Sequence, residues 1–410
     1  MERGFRIGRL LGIELRLGWS WIFMFFLVTS SLSGLFARWH PLWSPGLTLA
    51  VALIAGLLFF ASVLAHELAH SLVARAHGLE VRDITLFLFG GVSNLAREPG
   101  SPRTELLTAV AGPLTSLALG AAFTAVGAVI DGMGPGDVAT PVEFFARLDP
   151  LATLFTWLGP INIMLGLFNL VPAFPLDGGR VLRALLWARS GDFYGATRRA
   201  SALGRGFGWL FVLFGLAMTF GFRVPFFGTG LGNGLWLALI GWFLLGAASR
   251  SEQSALVREA LEGVPVHRLT RPAPAVEAAS TLSSLVDDRL MPTGERSFLV
   301  LDRGGLAGLV CLEDVRKVPR AAWDRTSVRD VMTPASSLVT AAPRDDAADA
   351  LAKMAAVGVS QLPVLENGQP LGLLRLRDVS RWIELHGPGS GGPLSTRPPG
   401  GQAPTARQPT

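Results

Sequence analysis

Apolar residues run in long unbroken blocks through the first 250 positions and in short stretches after that. Six blocks contain no Asp, Glu, Lys or Arg: 17–37, 39–65, 106–130, 150–176, 206–222 and 224–249. A helix needs about 20 residues to cross ~30 Å of hydrocarbon, so each block is read as a membrane span. Only Arg223 separates the last two, and a single re-entrant or kinked element is the alternative there. For the first block the alternative is a cleaved signal peptide, but its apolar stretch exceeds the usual ~7–15 residues and no clear cleavage site follows. Past Arg250 the chain repeats itself at an offset of 64 residues, 298–315 aligning without gaps on 362–379. Each copy reads as strand, tight turn, strand and then a helix starting near an Asp that can cap it. Val328–Pro334 and the amphipathic Ala347–Val357 complete the second unit. The fold expected is a membrane α-helical bundle of about six spans over residues 1–250, followed by an α/β repeat at 254–320 and 326–386. Residues 387–410, rich in Gly, Pro, Ser and Thr without periodicity, are expected to form a disordered tail.

Composition agrees with that division. Only 16% of the 410 residues are charged, against about 25% in soluble domains, which excludes one ordinary soluble enzyme. The single Cys311 excludes a disulfide framework and a thiolate zinc site. A net charge of +5 suggests nucleic acid at first sight, but 34 of the 36 basic residues are Arg, and many flank the apolar blocks. Arg residues are retained on the cytoplasmic side of spans. The amino terminus (Arg3, Arg6, Arg9, Arg16), the segment after block two (Arg75, Arg82, Arg97, Arg103) and that after block four (Arg180, Arg183, Arg189, Arg198, Arg199, Arg205) hold fourteen. The alternate segments hold three: Arg38, Arg147 and Arg223. Both termini, and the repeat with them, are therefore expected in the cytoplasm of a multi-pass cell-membrane protein, with no nucleic-acid partner.

Ionisable groups inside apolar spans are expensive, and each is a candidate for function. His66-Glu67-Leu68-Ala69-His70 ends the second block. Residues i and i+4 share a helix face, so both imidazoles can reach one metal ion, with Glu67 about 100° round the helix and able to hold a water. A solvated span end is the plainer reading, but about 25 preceding residues without charge argue against it. A tetrahedral catalytic zinc needs a third protein ligand and one open position. Asp177 is the best candidate, because Pro172 and Pro175 break the helix ahead of it and Gly178 and Gly179 allow tight backbone geometry. An interfacial turn with Asp177 paired to Arg180 is its plainer reading. Asn169, one broken turn earlier, could donate to a developing oxyanion or could tie two helices together.

These motifs resemble the site-2 protease family of intramembrane zinc metalloproteases. His66 to His70, and Asn169-Leu170-Val171-Pro172-Ala173-Phe174-Pro175-Leu176-Asp177-Gly178-Gly179-Arg180, carry the resemblance, and Leu86–Val92 resembles the family's membrane-associated strand segment. It covers residues 1 to about 250 and implies one zinc held by His66, His70 and Asp177, with Glu67 as general base or acid. It further implies hydrolysis of peptide bonds in membrane-spanning proteins. The strand-like 84–92 segment could hold an unwound substrate by edge addition, or could simply be a hairpin packed on the bundle. The repeat resembles a tandem pair of cystathionine-β-synthase (CBS) domains, which implies regulation, adenine nucleotide as a ligand through Asp314 and Asp378, and a homodimer through the pair. Cys311 and Arg375 stand where such nucleotide sites carry Ser or Thr, and that departure leaves nucleotide binding open against a structural or dimerising role. No insertion between spans is large enough for a PDZ domain. The competing function is a CBS-regulated transporter or channel with His66, His70 and Asp177 as an ion path, against which the absence of inverted repeats of broken spans counts.

Overall fold

The computed structural model describes residues 4–386 except 89, 96, 132–140 and 226. The expected tail 387–410 and Phe89 of the strand-like segment lie outside the described residues. The chain forms two compact units, Met1–Gln253 and Ser254–Thr410.

Among the described residues, six helices of the apolar part are long and apolar enough to cross a membrane: α1 (Trp19–Trp39), α2 (Pro45–Ala76), α3 (Pro102–Asp131), α5 (Pro150–Asn169), α7 (Phe193–Thr219) and α8 (Leu231–Leu261). Two shorter helices, α4 (Pro141–Arg147) and α6 (Asp177–Ser190), lie between them. Local chemistry starts several of these helices. Ser44 and Asp149 cap α2 and α5 ahead of a proline at the first position, and Asp192 caps α7 by accepting from Gly195 N at 2.8 Å. The fourth apolar block stops being helical at Asn169, because Pro172 and Pro175 cannot continue the ladder. Of the two readings for residues 206–249, two separate helices form. The turn between them has positive φ at Gly221, Gly228 and Gly230.

Apolar side chains cannot drive helices together in hydrocarbon, so close backbone approach has to do it. Leu32 and Phe36 of α1, Ala52 and Ala55 of α2, and Leu154 and Leu158 of α5 form one buried cluster. Helices α7 and α8 meet glycine on glycine: a Cβ on Gly215 would strike Gly234 O and Ala238 N, and one on Gly241 would stand 2.6 Å from Gly208 O. Large apolar groups such as Phe23, Phe26, Trp209 and Trp242 face outward, as a lipid-facing surface requires.

A four-stranded sheet accompanies the bundle, in the order β1 (Phe5–Leu10), β2 (Ile13–Leu17), β3 (Val81–Phe87), β4 (Gly90–Leu95). β2 and β3 are parallel and the other pairs antiparallel. The 84–92 segment is thus a hairpin with β4 at the sheet edge. The first hairpin was not foreseen in the sequence, although Ile13, Leu15 and Leu17 alternate with Glu14 and Arg16, and Leu11 and Gly12 turn with φ of 51° and 80°.

In the second unit β5 (Ala275–Glu277), β6 (Ser297–Asp302), β7 (Gly305–Cys311) and β8 (Thr333–Pro334) form one sheet, and β9 (Gln361–Glu366) pairs with β10 (Gln369–Arg375). The hairpins β6–β7 and β9–β10 keep the 64-residue offset. Arg303-Gly304 and Asn367-Gly368 both turn with positive φ at each residue, the geometry that suits the twist of a two-residue hairpin. The copies are interlaced: Leu261, Val266 and Leu269 lie in the core of the second copy, and Val328 lies in the core of the first.

The α7–α8 seam makes a test of this packing. Gly215→Leu should destabilise the full chain in detergent by about 1–3 kcal/mol through overpacking. Gly206→Ala, where an added Cβ meets nothing within 4 Å, should be neutral or stabilise by up to about 1 kcal/mol. Equal melting temperatures for the two variants would contradict the packing.

Candidate metal centre

His66 and His70 lie one turn apart near the end of α2, each 4% exposed, with their Nε2 atoms 3.1 Å apart. The third group arrives from another helix. After Asn169 the chain turns through 170–176, the Phe174–Pro175 bond being cis, and Asp177 opens α6. Gly178 packs its Cα side on the carbonyls of Leu170 and Val171, and Gly179 packs on Phe174 N, where a side chain would not fit. Asp177 Oδ2 then stands 3.0 Å from His66 Nε2 and 3.1 Å from His70 Nε2. Among the described residues this is the group that could hold a metal ion, its ligand atoms all within 4.8 Å of one another.

The hydrogen bonds behind the imidazoles decide what sits in front of them. His70 Nδ1 is 2.6 Å from Thr108 O, and a carbonyl only accepts, so this nitrogen carries the proton and donates. In a neutral ring Nε2 then holds a lone pair, aimed at His66 Nε2 and Asp177 Oδ2. His66 Nδ1 lies 2.9 Å from Ser116 Oγ, a partner that can serve in either direction. Lone pairs and a carboxylate gathered on one point repel unless a cation lies among them. Ligand atoms about 2.0–2.1 Å from a tetrahedral zinc stand roughly 3.3–3.4 Å apart, close to the spacing here. The donor set therefore fits zinc, with outer-shell bonds of the kind that fix histidine tautomers.

Sequence reasoning foresaw α3 as a span but missed the residues on it that hold this arrangement. Thr108, Gly112 and Ser116 recur every four residues along α3, and a Cβ on Gly112 would press on both imidazoles, 2.6 Å from His66 Nε2. That polar and small spacing inside an apolar block was the available signal. Glu67 is partly buried against β4, where a Cβ on Gly91 would stand 2.9 Å from Glu67 Cδ. Asn169 ends α5 and its amide donates to Leu165 O at 3.0 Å, in its own helix. It is not among the three residues that converge.

In the second unit the two Asp residues are unlike. Asp314 is the third residue of the helix Leu312–Val315 and closes a capping box on Cys311; its Oδ2 accepts from Cys311 N (3.0 Å) and its Oδ1 from Lys317 Nζ (2.7 Å). Asp378 Oδ2 is buried with no hydrogen-bond partner among the described residues. Burial, with Asp314 and Glu313 close by, pushes the Cys311 thiol up to about 11, and Gln361 Nε2 lies 3.1 Å from its sulfur. Arg375 is buried and ion-paired with Glu295 at 3.1 Å, and Arg377 holds the same carboxylate at 2.9 Å.

Comparison with known proteins supplies the remaining context. Residues 54–142 and 133–213 match Peptidase family M50, and residues 328–385 match the CBS domain. The protein sll0528 of Synechocystis sp. is 34% identical over 388 residues, 94% of this chain and 96% of that protein. Rip3 of Mycobacterium tuberculosis is 34% identical over 393 residues, 94% of each. MJ0392 of Methanocaldococcus jannaschii is 27% identical over 329 residues, 80% of this chain and 84% of that protein. The words zinc metalloprotease stand in all three names. With full-length relatives above 30% identity, and with a metal-fitting cluster inside the matched segment, the chain belongs to peptidase family M50 and carries a C-terminal CBS domain.

Proposed function

We propose that this metalloprotease hydrolyses peptide bonds in or near membrane-spanning segments of other proteins, with zinc held by His66, His70 and Asp177. The observation that carries the reading is the meeting of those three side chains, from α2 and α6, between apolar helices. Bound there, zinc would polarise a peptide carbonyl and make a water more acidic. Glu67, next to His66 on α2, takes the proton of the attacking water and returns it to the leaving amine. Thr108 and Ser116 keep both imidazoles oriented, and Gly112 leaves room for them. A peptide bond inside a helix is shielded by its own ladder, so the substrate has to unwind. The edge of β4, whose Gly91 lies against Glu67, offers backbone groups to an extended peptide. Convergence on one point also favours hydrolysis over an ion path, which needs polar groups spread along a route.

The termini and the CBS unit lie in the cytoplasm on this reading, following the arginine asymmetry. The unit modulates the protease, pairs two chains, and binds adenine nucleotide through the second copy. Asp378 is favoured for the ribose, because its Oδ2 has no hydrogen-bond partner among the described residues whereas both oxygens of Asp314 are engaged.

Glu67→Gln should retain one zinc per chain by metal analysis and lose at least about 100-fold of its cleavage of a model transmembrane substrate. His66→Ala should lose both. Full cleavage by purified Glu67→Gln protein would refute the mechanism. Millimolar ATP or AMP should raise the melting temperature of the full chain in detergent, and Asp378→Asn should abolish the shift while Asp314→Asn keeps it. No shift in the unaltered protein would remove the nucleotide assignment.

A further inference from the structure

The face that α3 turns toward the metal centre begins before Thr108, at Glu105. Positions 105, 108, 112 and 116 lie along one side of a helix. The last three touch His70 and His66, whereas Glu105, fully buried, meets Arg183 of α6. Arg183 Nε donates to Glu105 Oε1 at 2.6 Å, Nη2 touches the same oxygen, and Nη2 also donates to Glu98 Oε2 at 3.3 Å. The guanidinium lies over the rings of Phe174 (5.2 Å) and Phe193 (4.7 Å). Phe174 belongs to the broken segment that leads into Asp177, and Phe193 opens α7.

A buried ion pair returns little net stability, because both charges lose their water. A guanidinium does supply fixed direction, since its planar fork meets a carboxylate in few geometries. Here that geometry joins the helix whose first residue is Asp177 to α3, whose Thr108 and Ser116 hydrogen-bond the two imidazoles of α2. Arg183 is only 6% exposed, so it is not a solvated flank of a span. We propose that Arg183 is a positioning residue of the metal centre: its pairing with Glu105 sets α6 against α3 so that Asp177 reaches His66 and His70. The proposal rests on the zinc reading above.

The test uses the full chain in detergent and three variants, Arg183→Lys, Arg183→Met and Glu105→Gln. Zinc affinity is measured by competition with a chromophoric chelator, ligand geometry by the visible absorption of the cobalt(II)-substituted protein, and folding by the melting temperature without metal. Positioning predicts zinc affinity about 10–100-fold weaker in Arg183→Met and Glu105→Gln, and altered cobalt bands in protein that is still folded. Arg183→Lys, which keeps charge but not the fork, should fall between them and the unaltered chain. A lower metal-free melting temperature with unchanged zinc affinity and cobalt spectrum would assign the pair to stability alone and overturn the proposal. Failure of all three variants to fold would overturn it too, since the pair would then serve the bundle as a whole. Absence of zinc binding in the unaltered chain would refute the metal centre itself, an outcome distinct from both.

Discussion

Two imidazole nitrogens and a carboxylate oxygen gathered 3.0–3.1 Å apart, between helices that hydrocarbon surrounds, form the arrangement on which the rest of the membrane unit turns. In so apolar a surround, every such group must find its partners within the protein or at a bound ion. The requirement propagates outward from the three atoms. His70 has to give its outer proton to Thr108 O, which fixes the rotation of α3 against α2. With that rotation set, the position facing both rings must be glycine, and Gly112 occupies it. Asp177 has to follow a break in the helix, because an unbroken α5 would carry it past the site. The Pro172 to Gly179 segment is the means, with its glycines seated on backbone where no Cβ fits.

The same rule of close approach governs the scaffold. Helices in lipid gain little from exchanging apolar neighbours, so contact depends on how near their axes come. Gly120 on α3 lies against Ile163 of α5, Gly159 and Gly166 of α5 lie against Thr124 and Leu117 of α3, and Gly215 meets Gly234 across the α7–α8 seam. The α6 segment is short and is entered through a break. Gly204 of α7 lies on Phe174 and brings a further helix to that break, so the loop is braced on two sides.

The sequence was most legible where physics demands a long or regular signal. Six spans need six long apolar blocks, and a repeat of 64 residues is visible without structure. The pentapeptide at 66–70 was legible because charge is so rare around it. Short elements whose partners lie far along the chain were not. The hairpin at 5–17 pairs with residues 83–86, and its alternation is too brief to compete with the adjoining apolar block. Thr108, Gly112 and Ser116 look unremarkable in a span until their helix is placed against α2. Arg183 counted as one basic flank among fourteen, and its burial shows that such a count mixes solvated charges with structural ones. Removing it leaves thirteen against three, so the inferred orientation does not depend on it.

The repeat shows how far a shared backbone constrains chemistry. Turn for turn the copies agree, down to the positive φ of residues 303–304 and 367–368. Ser297 and Gln361 occupy equivalent positions and bond to each other, Ser297 Oγ donating to Gln361 Oε1 at 2.6 Å, as expected where a pseudo-twofold axis passes between copies. Side chains beside that contact have diverged. Cys311 is a protonated, half-buried thiol where its counterpart Arg375 is a buried cation paired with Glu295. Asp314 engages both oxygens locally while its counterpart Asp378 has one buried oxygen without a hydrogen-bond partner among the described residues. Two equal ligands cannot be recognised by surroundings of unequal charge and hydrogen-bonding capacity. Any small molecule that reads this unit must therefore enter one half in preference to the other, and it must contend there with the Glu295 carboxylate already held by Arg375 and Arg377.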